Sequence, residues 1–232
     1  MGISRTAIPF LTESPKNPDG THGGTGFLAS LDGRTLFITA AHTPPGDLGV
    51  TSDWNKWPPA VQIVLSGGDR TVVSLFSDSK GGREPTFGHF HAAQSPGTLH
   101  DLMWLDFTPH KQLGRAIRSF YTTYDLESPT KPAVRAGLTC YGYPCEHDGW
   151  PRMEPVSGQV LQVIPGGIFC DLRTKGGHSG GPVVLTDGEL AGLARGYISG
   201  PESDGIVLPA TDIAKIIRVA AKRGSCGFPG AC

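Results

Sequence analysis

Ser179 lies in Gly176-Gly177-His178-Ser179-Gly180-Gly181-Pro182, and His42 closes the upstream run Phe37-Ile38-Thr39-Ala40-Ala41-His42. A serine hydroxyl attacks poorly at neutral pH unless a general base within hydrogen-bond reach takes its proton. An imidazole, which titrates near neutrality, suits that role. Glycines on both sides of Ser179 permit a tight turn and let a carbonyl approach backbone N–H groups closely. Alone, a serine in such a loop reads as a turn residue; together with His42 it points to nucleophilic attack on a carbonyl. A carboxylate that orients the histidine completes the set. Asp101, followed by the apolar run Leu102-Met103-Trp104-Leu105, is the favoured candidate, and Asp106, five residues on, is its rival.

The other chemistry-bearing residues give weaker patterns. His89 and His91 suggest a metal pair, and Cys140, Cys145 and His147 offer mixed ligands, but neither set completes a familiar zinc spacing. They read as surface or loop residues, so no metal is expected. The five cysteines, Cys140, Cys145, Cys170, Cys226 and Cys232, are odd in number, which leaves at least one unpaired and makes reduced thiols the default expectation.

The elements that must position these residues read as short strands. Thirty-three glycines and twenty prolines disfavour long helices, while 232 residues with 38% apolar content suffice for a sizeable core. The expectation is an all-β protein. A formal charge of -1 suggests no nucleic-acid partner. No apolar run of about eighteen residues is present to span a bilayer, and the first thirty residues lack a basic segment followed by an apolar core. A cytoplasmic location with no membrane partner is therefore expected.

Residues 1–23 are mostly polar and read as a loop-like segment, with the folded body starting near Gly24. Asp32-Gly33 lies between the apolar runs 26–30 and 35–39, a hairpin signal that places His42 just past a strand end. Runs at 61–65, 71–76 and 102–107 complete a first strand set, and 108–130 reads as a polar connection. A second set falls at 138–141, 159–164, 168–172, 182–185, 190–194 and 206–208, with Ser179 displayed in the loop between two of its strands. Residues 211–223 carry Ile213, Ile216, Ile217, Ala220 and Ala221 at helical spacing, with Thr211 as cap and Gly224 as stop.

On Thr39-Ala40-Ala41-His42, Asp101-Leu102-Met103-Trp104-Leu105 and Gly177-His178-Ser179-Gly180-Gly181-Pro182, in that order, the chain resembles the trypsin-like (chymotrypsin-fold) serine peptidases. The resemblance implies two packed antiparallel six-stranded β-barrels, with a C-terminal α-helix outside and the site in the cleft between them. It assigns residues 24–115 to the first barrel, 116–210 to a linker and the second barrel, and 211–224 to the helix. It implies His42 as base, Asp101 as its orienting carboxylate, Ser179 as nucleophile, and the N–H groups of Gly177 and Ser179 as oxyanion hole. The reaction implied is peptide-bond hydrolysis through an acyl-enzyme, with a protein or peptide substrate and no cofactor.

Two departures from the family pattern matter. His178 stands where many members carry an aspartate that pairs with a newly cleaved amino terminus, so activation by such clipping is not expected, and a regulatory protein partner that reshapes residues 176–179 is the favoured route of control. The resemblance also places Arg173, Thr174, Arg195 and Gly205 in the substrate pocket, with Gly205 keeping its entrance open. With Lys175 nearby, Arg173 and Arg195 make a cationic pocket that favours an acidic residue before the scissile bond, unless Arg173 pairs with Asp171 or faces solvent. The competing readings are a catalytically silent, protease-like binding module and an esterase that uses the same residues.

Overall fold

The computed structural model describes residues 5–13, 21–45, 53–65, 68–79, 82–93, 99–144, 151–197 and 205–223. The first half contributes β1 (Ile8–Glu13), β2 (Thr21–Leu31), β3 (Arg34–Thr39), β4 (Ala60–Val64), β5 (Arg70–Ser74), β6 (Phe76–Ser79), β7 (Gly82–Pro85), β8 (Phe87–Ala93) and β9 (Leu99–Asp106). Helix α1 (Lys111–Phe120) and strand β10 (Thr123–Asp125) follow. The second half contributes β11 (Gly137–Gly142), β12 (Glu154–Ile164), β13 (Gly167–Cys170), β14 (Pro182–Leu185), β15 (Leu190–Tyr197) and β16 (Gly205–Pro209), closed by helix α2 (Ala210–Arg223).

The fold is mostly β, and its second half is a closed six-stranded barrel ordered β11-β12-β13-β16-β15-β14. The first half differs from the expected barrel. It is an open sheet ordered β5-β4-β1-β2-β3-β9-β8, with β10 lying parallel beside β2. Among the described residues β5 and β8 are not paired along their lengths; the Thr86 N–H donates to the Leu75 carbonyl at 2.9 Å beside their ends, and β6 and β7 form a separate ribbon between them. The hairpin at Asp32-Gly33 forms as expected, with φ of 50° and 72° at the two turn residues.

Two segments read as irregular are built into the structure. Residues 1–23 are not merely a polar leader: Ile8–Glu13 pairs with both β2 and β4, and Ile8 and Phe10 are fully buried. The folded body therefore starts well before Gly24. The stretch 108–130, read as a connection, holds α1, whose Leu113, Ile117 and Phe120 recur at helical spacing and pack on the core of the first sheet. His89, expected in a surface loop, is buried on β8 between Trp54, Trp57 and Phe87. Cys140 is likewise buried, on β11, not a surface or loop residue; neither it nor Cys170 is in a disulfide, while His91's side chain, Cys145, His147, Cys226 and Cys232 lie outside the described residues.

One apolar cluster joins the halves. Phe27, Leu36 and Ile38 of the first sheet share it with Val184, Leu193 and Leu208 of the barrel and with Ile213 and Ile217 of α2. Fully burying each of these isoleucines stabilises the seam by about 1.5–3 kcal/mol. At its surface, Arg218 of α2 grips Asp32 through Nε at 3.1 Å and Nη2 at 3.0 Å, and reaches Glu127 at 2.8 Å. The helix thus clamps the β2-β3 turn to the second half.

Candidate active site

Strand β3 ends at Thr39, and His42 follows within a turn closed by the Thr43 N–H donating to the Ala40 carbonyl at 3.1 Å. Strand β9 pairs antiparallel with β3, and Asp101 lies near its start. Asp101 meets His42 twice. Its Oδ1 accepts from the His42 backbone N–H at 3.0 Å, and its Oδ2 is hydrogen-bonded to His42 Nδ1. The carboxylate is 1% exposed, whereas the His42 side chain keeps 36% of its surface. A buried acceptor at Nδ1 fixes the tautomer, so the proton sits on Nδ1 and Nε2 is left as the basic nitrogen. Asp106, the rival, serves elsewhere: it pairs with Leu36 in the sheet and its Oδ1 accepts from the Thr108 N–H at 2.8 Å.

Ser179 is held by two consecutive turns that share His178. In the first, the His178 N–H donates to the Lys175 carbonyl at 3.1 Å, with Gly177 at φ 93°. In the second, the Gly181 N–H donates to the His178 carbonyl at 2.9 Å, with Gly180 at φ 86°. Each turn needs positive φ at its third residue, which glycine adopts without the steric penalty of a Cβ. Strand β15 staples the second turn: Gly180 N–H donates to Ala194 at 2.8 Å, and Ala194 N–H returns a bond to Gly181 at 2.9 Å. Among the described residues, no hydrogen bond uses the N–H of Gly177 or of Ser179, and none joins the Ser179 hydroxyl to His42.

His178 pins the shared corner from inside. Its ring is fully buried, Nδ1 accepts from the Lys175 N–H at 3.3 Å, and Nε2 donates to the Glu154 carbonyl at 3.1 Å. Acceptance at Nδ1 requires a neutral ring, with its proton on Nε2, and burial lowers the imidazole's proton affinity in the same sense. A neutral side chain therefore fills the position at which the chain departs from the family's aspartate. Gly142 makes room for it, since a Cβ there would lie 2.7 Å from the His178 ring.

The nucleophile loop also touches the histidine side directly. A Cβ on Gly180 would fall 2.2 Å from Thr39 Oγ1 and 2.9 Å from the Ala40 nitrogen, so residue 180 abuts the segment that leads to His42. Thr39 Oγ1 donates to the Thr25 carbonyl at 2.7 Å, and Thr25 Oγ1 in turn donates to the Gly177 carbonyl at 2.6 Å. Thr25, Tyr143 and Glu154 support the site and were not marked by the sequence reading. The one signal for Thr25 was its place between Gly24 and Gly26, two glycines in a strand, which mark close approach of neighbouring chain.

The four expected pocket residues differ in their surroundings. Arg173 is exposed, Thr174 is buried with its hydroxyl unpartnered among the described residues, and Lys175 is ion-paired to Glu154 at 2.8 Å. Gly205 begins β16, where a Cβ would lie 2.8 Å from the Leu172 carbonyl, so its lack of a side chain serves close strand passage. Arg195 is partly buried on β15, next to the stapled Ala194.

The fold is that of a trypsin-like peptidase domain. The trypsin-like peptidase domain family matches residues 24–193, and the chain belongs to that family. Among solved structures, it is similar to a serine endoprotease from Yersinia pestis, with 16% identity and a TM-score of 0.60 over 95% of this chain and 64% of that one. It is also similar to the Rv3671c protease from M. tuberculosis in its active form, with 17% identity and a TM-score of 0.57 over 98% and 84% of the two chains. The inactive form of Rv3671c matches with 17% identity and a TM-score of 0.55 over 95% and 90%. The chain spans about 64% of the length of the Yersinia protein. No curated protein sequence matches it.

Proposed function

We propose that the chain is a serine endopeptidase in which Ser179 attacks a peptide carbonyl. His42 Nε2 takes the hydroxyl proton as the new C–O bond forms, and Asp101 stabilises the resulting imidazolium. The N–H groups of Gly177 and Ser179 receive the oxyanion. Collapse of the adduct breaks the C–N bond, the imidazolium gives its proton to the leaving amine, and a water molecule repeats the cycle on the acyl-enzyme. No cofactor is needed, and the substrate is a protein or peptide.

The observation that carries this reading is the twofold contact of buried Asp101 with His42, which leaves Nε2 as the basic nitrogen of a side chain that stays partly exposed. The unused N–H groups beside Ser179 support it. The absence of a bond between the Ser179 hydroxyl and His42 among the described residues favours one second reading, a protease-like module that becomes active on a regulatory partner. Incubating a mixture of peptides and simple esters with the wild type and with Ser179→Ala tests the proposal. Internal peptide cleavage that Ser179→Ala abolishes is expected; ester hydrolysis alone would make the chain an esterase, and no turnover without an added partner would favour the second reading.

A further inference from the structure

Among the described residues, Arg195 is the one cation near the nucleophile loop whose donors are closed off without a matching anion. Its Nε and Nη1 are buried and have no hydrogen-bond partner among the described residues. Arg173 is exposed and Lys175 is satisfied by Glu154, so neither competes for this role. The chain holds Arg195 firmly in place: the preceding residue, Ala194, exchanges two backbone hydrogen bonds with the turn that carries Ser179. A register shift in the β15-β16 pairing falls between Ala194 and Gly196, which re-aims the intervening side chain. Asp101 is the carboxylate within its electrostatic reach, but no ion pair joins them, and that carboxylate is already engaged by His42.

Burying guanidinium donors without partners is costly, and the cost is recovered when an anion with fork geometry arrives. We propose that Arg195 is a specificity-determining residue that binds a carboxylate of the peptide substrate beside the scissile bond. The proposal rests on the peptidase reading for its meaning, but binding can be read without turnover. Two sources supply the group, an acidic side chain or the free carboxyl end of a chain.

The test uses Ser179→Ala protein, with and without Arg195→Met, and decapeptides carrying a single Glu stepped through the sequence beside a matched Gln series. Both series are made as free acids and as C-terminal amides, and binding is followed by fluorescence anisotropy. In at least one register the Glu peptide is expected to bind about tenfold or more tighter than its Gln partner, a difference that Arg195→Met removes. Persistence of the effect in the amides assigns the carboxylate to a side chain; its restriction to the free acids assigns it to the chain end. Equal binding of the two series, no binding of either, or a preference that survives Arg195→Met overturns the proposal. Melting supplies a second readout: Arg195→Met is expected to melt at or above the parent temperature, because an unpaired buried charge is replaced by an apolar chain. A melting temperature lowered by several degrees would make Arg195 a structural partner and contradict the inference. Labelling of wild-type Ser179 by a fluorophosphonate reads the peptidase proposal separately, so the failure of either is told apart.

Discussion

The Thr25 hydroxyl donates to the Gly177 carbonyl at 2.6 Å and so ties strand β2 to the turn that precedes Ser179. The same oxygen accepts the Tyr143 N–H at 2.9 Å, making Thr25 a bridge between two backbone groups of the second half. Thr25→Val keeps the shape but strands both groups. Stability is expected to fall by about 1–3 kcal/mol in chemical denaturation. Turnover is expected to fall roughly tenfold to a hundredfold through the misplaced Gly177 N–H. Unchanged turnover in a folded Thr25→Val protein would remove Thr25 from the support of the site.

Gly180 and Gly188 provide a matched comparison. Both have positive φ, 86° and 90°. A methyl group at 180 would fall 2.2 Å from Thr39 Oγ1 and 2.3 Å from the Thr25 carbonyl, whereas at 188 nothing lies within 4 Å. Gly188→Ala is therefore expected to cost only its backbone strain, about 1–2 kcal/mol. Gly180→Ala adds a clash with fixed backbone and is expected to cost about 4 kcal/mol or more, or to prevent folding. Similar melting temperatures for the two variants would contradict the close contact between nucleophile turn and β3.

Stability should depend on pH through His178. Its buried ring titrates below the ordinary 6.5, so in the window below about 6.5 the unfolded chain binds a proton that the folded chain does not. The unfolded state then holds more protons, and stability rises with pH across that window and is lost as pH falls. His178→Gln keeps an acceptor for the Lys175 N–H and a donor for the Glu154 carbonyl without a titrating ring. Thermal melts from pH 8 to 5 are expected to show a shallower loss in this variant than in the wild type; parallel curves would show that His178 stays neutral in both states or charges equally in both.

The residues proposed to do the chemistry were legible because their constraints are local. Ser179 needs glycines beside it, and His42 follows a strand whose hairpin turn is written as Asp32-Gly33. The closing helix was legible for the same reason, its isoleucines recurring on one face of α2. Strand β1 was missed because Thr12 and Glu13 merge into a polar stretch, although Ile8, Phe10 and Leu11 are buried by partners that come later in the chain. Helix α1 was obscured by Gly114 and several basic residues, and Gly114 is there because the helix passes close to Phe107. That β6 pairs with β7 as a separate ribbon while β5 and β8 stay unpaired along their lengths is a choice of partners that no local pattern decides. The Thr25–Gly177 bridge spans 152 positions, beyond the reach of any local spacing argument.

Asp101→Asn tests the orienting role separately from the fold. An amide offers only one acceptor oxygen; when that oxygen takes the His42 backbone N–H, the NH2 group faces Nδ1 and favours the tautomer protonated on Nε2, so turnover is expected to fall by about 10⁴ with little change in melting temperature. A loss below about tenfold would return the orienting role to another group.

The most direct test of the account is intact-mass measurement after treatment with a fluorophosphonate, on the wild type, Ser179→Ala and His42→Ala side by side. The account predicts one adduct per wild-type chain, mapped to Ser179, none on Ser179→Ala, and labelling slowed by orders of magnitude in His42→Ala. An unlabelled wild type, or an adduct on another residue, would contradict the assignment of Ser179 as a nucleophile activated by His42.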